Sequence, residues 1–187
     1  MEYEYFMRGE FNLLGLKRGI VKLHPYTNEW KRLYEEEKNL LWSSIGNYVV
    51  DIQHIGSTSI PGIEAKPIID IMVGVRNLED GEKCVEFLEK LGYEYKGEHG
   101  IPGRLFFAKG DSTMRTHHLH MVEWNSDFWR NHLLFRNYLR KHEDVAEEYL
   151  KLKRELAEKF AKDRDAYTAG KADFIQRVLK KADISGE

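Results

Sequence analysis

Three short stretches of this chain hold residue types that do chemistry. The first runs His54-Ile55-Gly56-Ser57-Thr58-Ser59-Ile60-Pro61-Gly62 and is followed by a carboxylate at Asp70. A strand ending in Gly56, Ser57, Thr58 and Ser59 offers small side chains, free backbone N–H groups and hydroxyls, which are what a phosphate needs. An ordinary capped turn has the same composition. Asp70 adds weight to the phosphate reading, because it interrupts an otherwise nearly apolar run, Ile68 to Val75. A carboxylate in a buried strand costs desolvation energy unless something compensates it. The compensating group is either a bound ligand or a structural arginine or backbone partner.

The second stretch is Arg115-Thr116-His117-His118-Leu119-His120-Met121-Val122. On a strand, His118 and His120 point to one side and Leu119 and Met121 to the other. If the apolar pair faces the core, two imidazoles converge on a site. His-x-His on a strand holds divalent transition metals, so Asp70, His118 and His120 form a candidate metal set; hydrogen-bonded or phosphate-contacting histidines are the alternative. His54 is a further imidazole that could join them, although by itself it reads as structural. The third group is basic: Lys66 lies between the Gly-Ser loop and Asp70, while Arg104 and Lys109 flank Leu105-Phe106-Phe107. Such residues suit a polyanion, although each alone is an ordinary surface charge.

These residues need elements to position them. Thr27 can cap a helix carrying Trp30, Leu33, Tyr34, Leu41 and Ile45 at near-helical spacing, with Gly46 as its stop. Val49 to Ile55 and Ile68 to Val75 read as strands, the second buried on both faces. Asp80 to Leu91 reads as a helix closed by Gly92. Tyr93 to Gly97, Arg104 to Lys109 and Thr116 to Glu123 read as further strands. Beyond Asp127 the sequence is helix-forming and without proline, with apolar stripes for three helices: Phe128 to Leu139, Val145 to Phe160, and Tyr167 to Leu179. The expectation is an α+β fold: an arm over residues 1–20, a mixed-sheet core over 21–126, and a helical section over 127–187 packed on one side of the sheet.

The 187-residue length fits one domain, and 42% hydrophobic residues are enough for a core. A formal charge of −2 gives no reason to expect nucleic acid or an anionic membrane as partner. Cys84 is the only cysteine, so no intrachain disulfide forms, and it reads as a small buried side chain. No apolar stretch is long enough to span a membrane and the first residues lack the order of a signal peptide, so cytoplasmic residence is the default expectation.

The block His54 to Asp70, together with Arg104 to Lys109, the His117 to His120 run, Phe135 to Arg140 and Tyr149 to Lys153, resembles the GrpB family over about Val21 to Ala182. That resemblance implies a nucleotidyltransferase-like fold. Working members of that superfamily transfer a nucleoside monophosphate, using a Gly-Ser loop and carboxylates that hold Mg²⁺. Gly56 and Ser57 match the loop and Asp70 the first carboxylate. The second carboxylate position is Met72, and His118 or His120 stands where a third might lie. The resemblance implies Gly56 and Ser57 as phosphate-binding and Asp70 as catalytic positions; the residue pattern adds His120 as catalytic and Thr58, Ser59, Lys66, Arg104 and Lys109 as phosphate-binding ones. The implied cofactor is a divalent metal (Mn, Zn or Mg), and the implied partner is a nucleotide or other phosphorylated small molecule. GrpB-like domains fused to dephospho-CoA kinase point to a nucleotide or coenzyme-A-related ligand. Three functions remain open: a metal-dependent transferase, a silent nucleotide- or phosphate-binding module, and a helical scaffold for a protein partner.

Overall fold

The computed structural model describes residues 14–111 and 113–186. Its centre is a six-stranded mixed sheet: β1 (Leu16–Lys17), β2 (Val49–Ile55), β3 (Ile69–Val75), β4 (Tyr93–Tyr95), β5 (Arg104–Gly110) and β6 (Met114–Glu123). The order across the sheet is β2-β3-β6-β5-β4, with β1 pairing to the start of β6. Only β3 and β6 run parallel; the other pairings are antiparallel. The expected arm is described only from Leu14 onward, and there it belongs to the sheet: Leu16 lies opposite Arg115, and the Gly15 amide donates to the Pro67 carbonyl at 2.9 Å.

One face of the sheet is covered by α1 (Glu29–Ile45), α2 (Leu78–Glu82) and α3 (Val85–Lys90). In α1, Trp30, Tyr34, Glu37, Leu41 and Ile45 are buried, a stripe at helical spacing aimed at the sheet. Thr27 assists the helix start, its hydroxyl accepting from the Glu29 amide at 3.3 Å. The single helix expected over Asp80 to Leu91 is two short ones, the first capped by Asn77, whose side chain accepts from the Asp80 amide. The sheet residues on this face are Ile69, Ile71, Val73, Val75, Leu105, Phe107, Leu119 and Met121, all in one core with the α1 stripe.

The other face receives the C-terminal helices. They number four, not three: α4 (Asp127–Lys141), α5 (Glu143–Lys159), α6 (Arg164–Ala169) and α7 (Ala172–Ser185). The apolar stripe read as one helix from Tyr167 to Leu179 is divided at Gly170-Lys171, where α6 closes against the Ala166 carbonyl. Tyr138, Leu139, Tyr149, Phe174 and Val178 pack these helices together, and Ile60 and Ile63 join them to the segment after β2.

Register decides which side chains meet. Asp70 lies beside His118 and Met72 beside His120, so both imidazoles share the carboxylate's face. Across β5, Phe106 pairs with His120 and Ala108 with His118. The hairpin joining β5 to β6 sets that register. Gly110 has φ +101, and a Cβ there would sit 2.4 Å from the Met114 carbonyl oxygen.

Candidate functional site

The Gly-Ser turn follows directly from β2 as one 3₁₀ turn, Ser57–Ser59. Gly56 enters it at φ +69, and a Cβ there would lie 2.5 Å from Asp70 Oδ2. Glycine is thus required twice, for the left-handed backbone and for contact with the carboxylate. Two of the three hydroxyls are consumed within the turn. Ser59 Oγ donates to the Gly56 carbonyl at 2.6 Å, and Thr58 Oγ1 pairs with His54 Nε2 at 3.0 Å. Ser57 faces the cavity described below, which Tyr149 of α5 also lines.

Asp70 holds the middle of a polar row. His118 Nδ1 is 3.2 Å from its Oδ1, and His120 Nε2 is 3.7 Å from the same oxygen. The far nitrogens face guanidiniums: His120 Nδ1 is 3.2 Å from Arg104 Nη1, and His118 Nε2 is 3.4 Å from Arg164 Nη2. A guanidinium only donates, so each far nitrogen is the acceptor and each near nitrogen carries the proton toward Asp70. Burial works against the Asp70 charge, but the hydrogen bond from His118 and the adjacent His120 imidazole hold its carboxyl well below the usual range. Burial pushes His120 below the ordinary histidine value, with Asp70 opposing.

This arrangement bears on the expected metal. In these tautomers both imidazole lone pairs face arginines rather than a shared point. Among the described residues, no group of three or more His, Cys, Asp or Glu is arranged to hold a metal ion. Met72 is fully buried among Ile55, Val122 and Trp129, where a carboxylate would lack partners. As arranged, the residues do not fit a resident divalent ion.

Above the row lies a cavity of about 510 Å³ between the sheet and the C-terminal helices. Gly56, Ser57, Thr58, Lys66, Asp70, His118 and His120 all line it, so the structure brings together residues up to 64 apart, from Gly56 to His120. Sequence reasoning missed its cationic wall. Arg136, Lys153, Arg164 and Lys171 line the same cavity as Lys66, and Asp70 is the one carboxylate among the lining residues. The Tyr167 ring carries two ammoniums, Lys66 Nζ at 5.3 Å and Lys171 Nζ at 4.6 Å from its centroid. Burial, and then the charges of Arg164 and Lys171, push Lys66 down to about 8. Lys171 is lowered by burial, and Lys153 is driven well below its ordinary value by burial and by the other two lysines. Lys153 is 2% exposed and donates to the Glu64 carbonyl. One signal could have revealed it: a lysine within the apolar stripe of Tyr149, Leu152 and Leu156 is as anomalous on a helix as Asp70 is on a strand.

Other expected residues lie elsewhere. Lys109 is on the opposite face, with Leu105 and Phe107, and its ammonium meets both Glu37 oxygens at 2.8 and 3.0 Å. Strand alternation excludes it from the cavity. His54 also faces α1, stacked on Tyr34 at 4.5 Å, and burial lowers it to about 3, so it does not join the other imidazoles. Arg104 sits behind His120, over the Phe106 ring at 4.8 Å, and does not line the cavity. It holds the histidine tautomer. Ser59 is buried beneath the turn.

A family model described as GrpB protein matches residues 20–181. The chain belongs to the GrpB family. It is 44% identical over 173 residues to the glutamate-rich protein GrpB of Alkalihalophilus pseudofirmus, covering 90% of this chain and 99% of that protein. With the UPF0157 protein YqkA of Bacillus subtilis it shares 40% identity over 176 residues, 90% of this chain and 51% of that protein. The crystal structure of conserved protein GrpB from Enterococcus faecalis superposes with a TM-score of 0.79 at 37% identity, covering 86% of this chain and 96% of that one. The α+β architecture expected from the GrpB resemblance is the one observed. A dephospho-CoA kinase of Mycolicibacterium paratuberculosis is 25% identical over 193 residues, 89% of this chain and 47% of that protein. The chain thus spans about half the length of YqkA and of this kinase.

Proposed function

We propose that this GrpB-family chain binds a nucleotide or another phosphorylated small molecule in the cavity between its sheet and its C-terminal helices. The observation that carries this reading is the charge imbalance: Lys66, Arg136, Lys153, Arg164 and Lys171 line the cavity against Asp70 alone. Buried ammoniums that depress one another's basicity are costly to hold together, and a polyanion entering between them relieves the repulsion. The Gly56–Ser57 turn supplies a small-residue floor for a phosphate, and Phe128, Phe135, Ile175 and Leu179 give the rest of the cavity an apolar lining suited to an organic moiety. Similarity to a chain named as a dephospho-CoA kinase supports a nucleotide-like ligand.

A second reading has its own observation. Asp70, which the family resemblance aligns with a transferase carboxylate, has two imidazoles beside it, so nucleotidyl transfer with Mn²⁺, Zn²⁺ or Mg²⁺ delivered on the phosphates rather than resident is the alternative to binding alone. Asp70→Asn separates the two. Calorimetric titration with ATP and with pyrophosphate, each with and without Mn²⁺, is the measurement. If the cations alone bind phosphate, the substitution removes a repulsion and tightens metal-free binding. If a metal bridges Asp70 to the phosphates, it abolishes the metal-dependent part. A wild-type protein that binds neither ligand under any condition ends both readings.

A further inference from the structure

The Ser57–Ser59 turn has a second side. There, beside edge strand β2, lies a groove of about 720 Å³ between α1 and the end of α4, sharing Thr58 and Arg136 with the first cavity. Its lining includes Lys31 and Lys38 of α1 and Arg136, Arg140 and Lys141 of α4, against Glu35 and Glu143. Arg136 and Arg140 stand one helical turn apart, so their guanidiniums are neighbours.

What those guanidiniums touch is informative. Arg140 gives Nε and Nη2 to the Ser59 carbonyl at 3.0 and 2.6 Å. Arg136 gives Nη1 to Gln53 Oε1 and the His54 carbonyl, and Nε and Nη2 to Asn137 Oδ1. Every one of these acceptors is neutral. Several exposed arginines elsewhere meet acids: Arg32 pairs with Glu29 and Glu36, Arg154 with Glu64, and Arg177 with Glu148. Arg136 is also 8% exposed, and burial followed by the charge of Arg140 pushes it down to about 10.

We propose that this groove is a second ligand site, for a small organic or inorganic oxyanion, carboxylate or phosphate, received by Arg140 and Arg136. Arg140 keeps its whole Nη1 group, and Arg136 one Nη2 hydrogen, outside these bonds, and the two charges lack an acidic partner; Arg140 supplies most of the donors and Arg136 mainly charge for an oxyanion. Lys31 and Lys38 on the facing helix add to the attraction. The site is distinct from the phosphate cavity, since the turn forms the wall between them, and it stands whether or not that cavity binds a nucleotide. Its position allows two ligands to be held on either side of one turn, Arg136 facing both.

The test uses the full chain with the first cavity disabled by Lys66→Gln and Lys171→Gln. Citrate and inorganic phosphate are titrated calorimetrically at low salt, while the Arg136 and Arg140 Nε–H resonances are followed by NMR. We expect one of the two anions to bind, to shift those resonances, and to lose at least about tenfold in affinity on adding Arg140→Gln. The anion that binds identifies the carboxylate or the phosphate as the group received. Arg140→Lys, which keeps the charge but not the fork, should retain part of the affinity. No binding of either anion in the doubly substituted chain, or binding indifferent to Arg140→Gln, overturns the proposal. Arg136 is left intact because its bonds to β2 make it part of the fold.

Discussion

The two faces of the sheet are made by the same three strands and differ by one residue in parity. On β3, β5 and β6 the odd-numbered side chains Ile71, Phe107 and Leu119 meet α1, α2 and α3, while the even-numbered Asp70, His118 and His120 meet the cavity and Phe106 backs the two imidazoles. On the odd face charge is closed off: Lys109 is held by Glu37, which also accepts from the Tyr93 hydroxyl at 2.9 Å. On the even face it is left open, with several cations around one carboxylate. The lesson is that stability and ligand chemistry are divided between faces rather than between segments of the chain. Substitutions two residues apart along a strand should behave alike, and those one residue apart should not.

The strongest challenge to that division is Phe107→Ala. Phe107 is fully buried, and its loss should cost about 3–5 kcal/mol of stability by thermal or denaturant unfolding. Ligand affinity in the surviving folded fraction should be unchanged. Glu37→Gln should cost less, about 1–3 kcal/mol, because it leaves the Lys109 ammonium short of its counter-charge. Like Phe107→Ala it should leave pyrophosphate binding alone; a large loss of affinity would show that the faces are not independent.

Lys66→Gln is the converse. It should weaken pyrophosphate or nucleotide binding about tenfold while leaving the melting temperature the same or slightly higher, because a repelled buried charge is removed. A pH series sharpens this. Lys66 is lowered from 10.5 to about 8, so its charge opposes folding below pH 8. Between about pH 8 and 10.5 the unfolded chain binds the extra proton, and stability from this group rises with pH. Affinity should move the other way, falling as pH climbs through about 8. Affinity flat from pH 7 to 9.5 would remove Lys66 from the site. The smallest effect on affinity is expected for Lys109→Gln, no measurable change, although stranding the buried Glu37 carboxylate should cost about 1–3 kcal/mol of stability.

Much of this was legible in the residues. Asp70, His118 and His120 stood out because polar side chains broke an apolar strand pattern at matching parity. The same parity places Lys109 with Leu105 and Phe107, away from the cavity, although a basic residue flanking that strand suits a polyanion by type alone. Lys153 was marked by its place in the apolar stripe of α5, but Arg164 and Lys171 could not be located from local pattern, because how α6 and α7 come down on the sheet is a matter of tertiary packing. The division at Gly170-Lys171 shows the same thing: the apolar spacing continues through it, and only the chain's need to turn against Tyr167 and Leu156 interrupts it. The roles of Thr58 and Ser59 were hidden for another reason. Hydroxyls that hold a turn in place have the same sequence as hydroxyls that await a phosphate.

The hairpin glycine has a consequence of its own. Gly110 lines neither cavity, yet it counts the residues between two strands whose faces have opposite meanings. Adding or removing one residue in this hairpin would rotate β6 by half a turn against β3, bringing Leu119 and Met121 under the cations and burying His118 and His120 against α1. Adding two would restore every side chain to its face and shift the row by one pair. Length changes in this hairpin should therefore be tolerated in even steps and not in odd ones, so that Gly110 keeps time for a site more than a strand away.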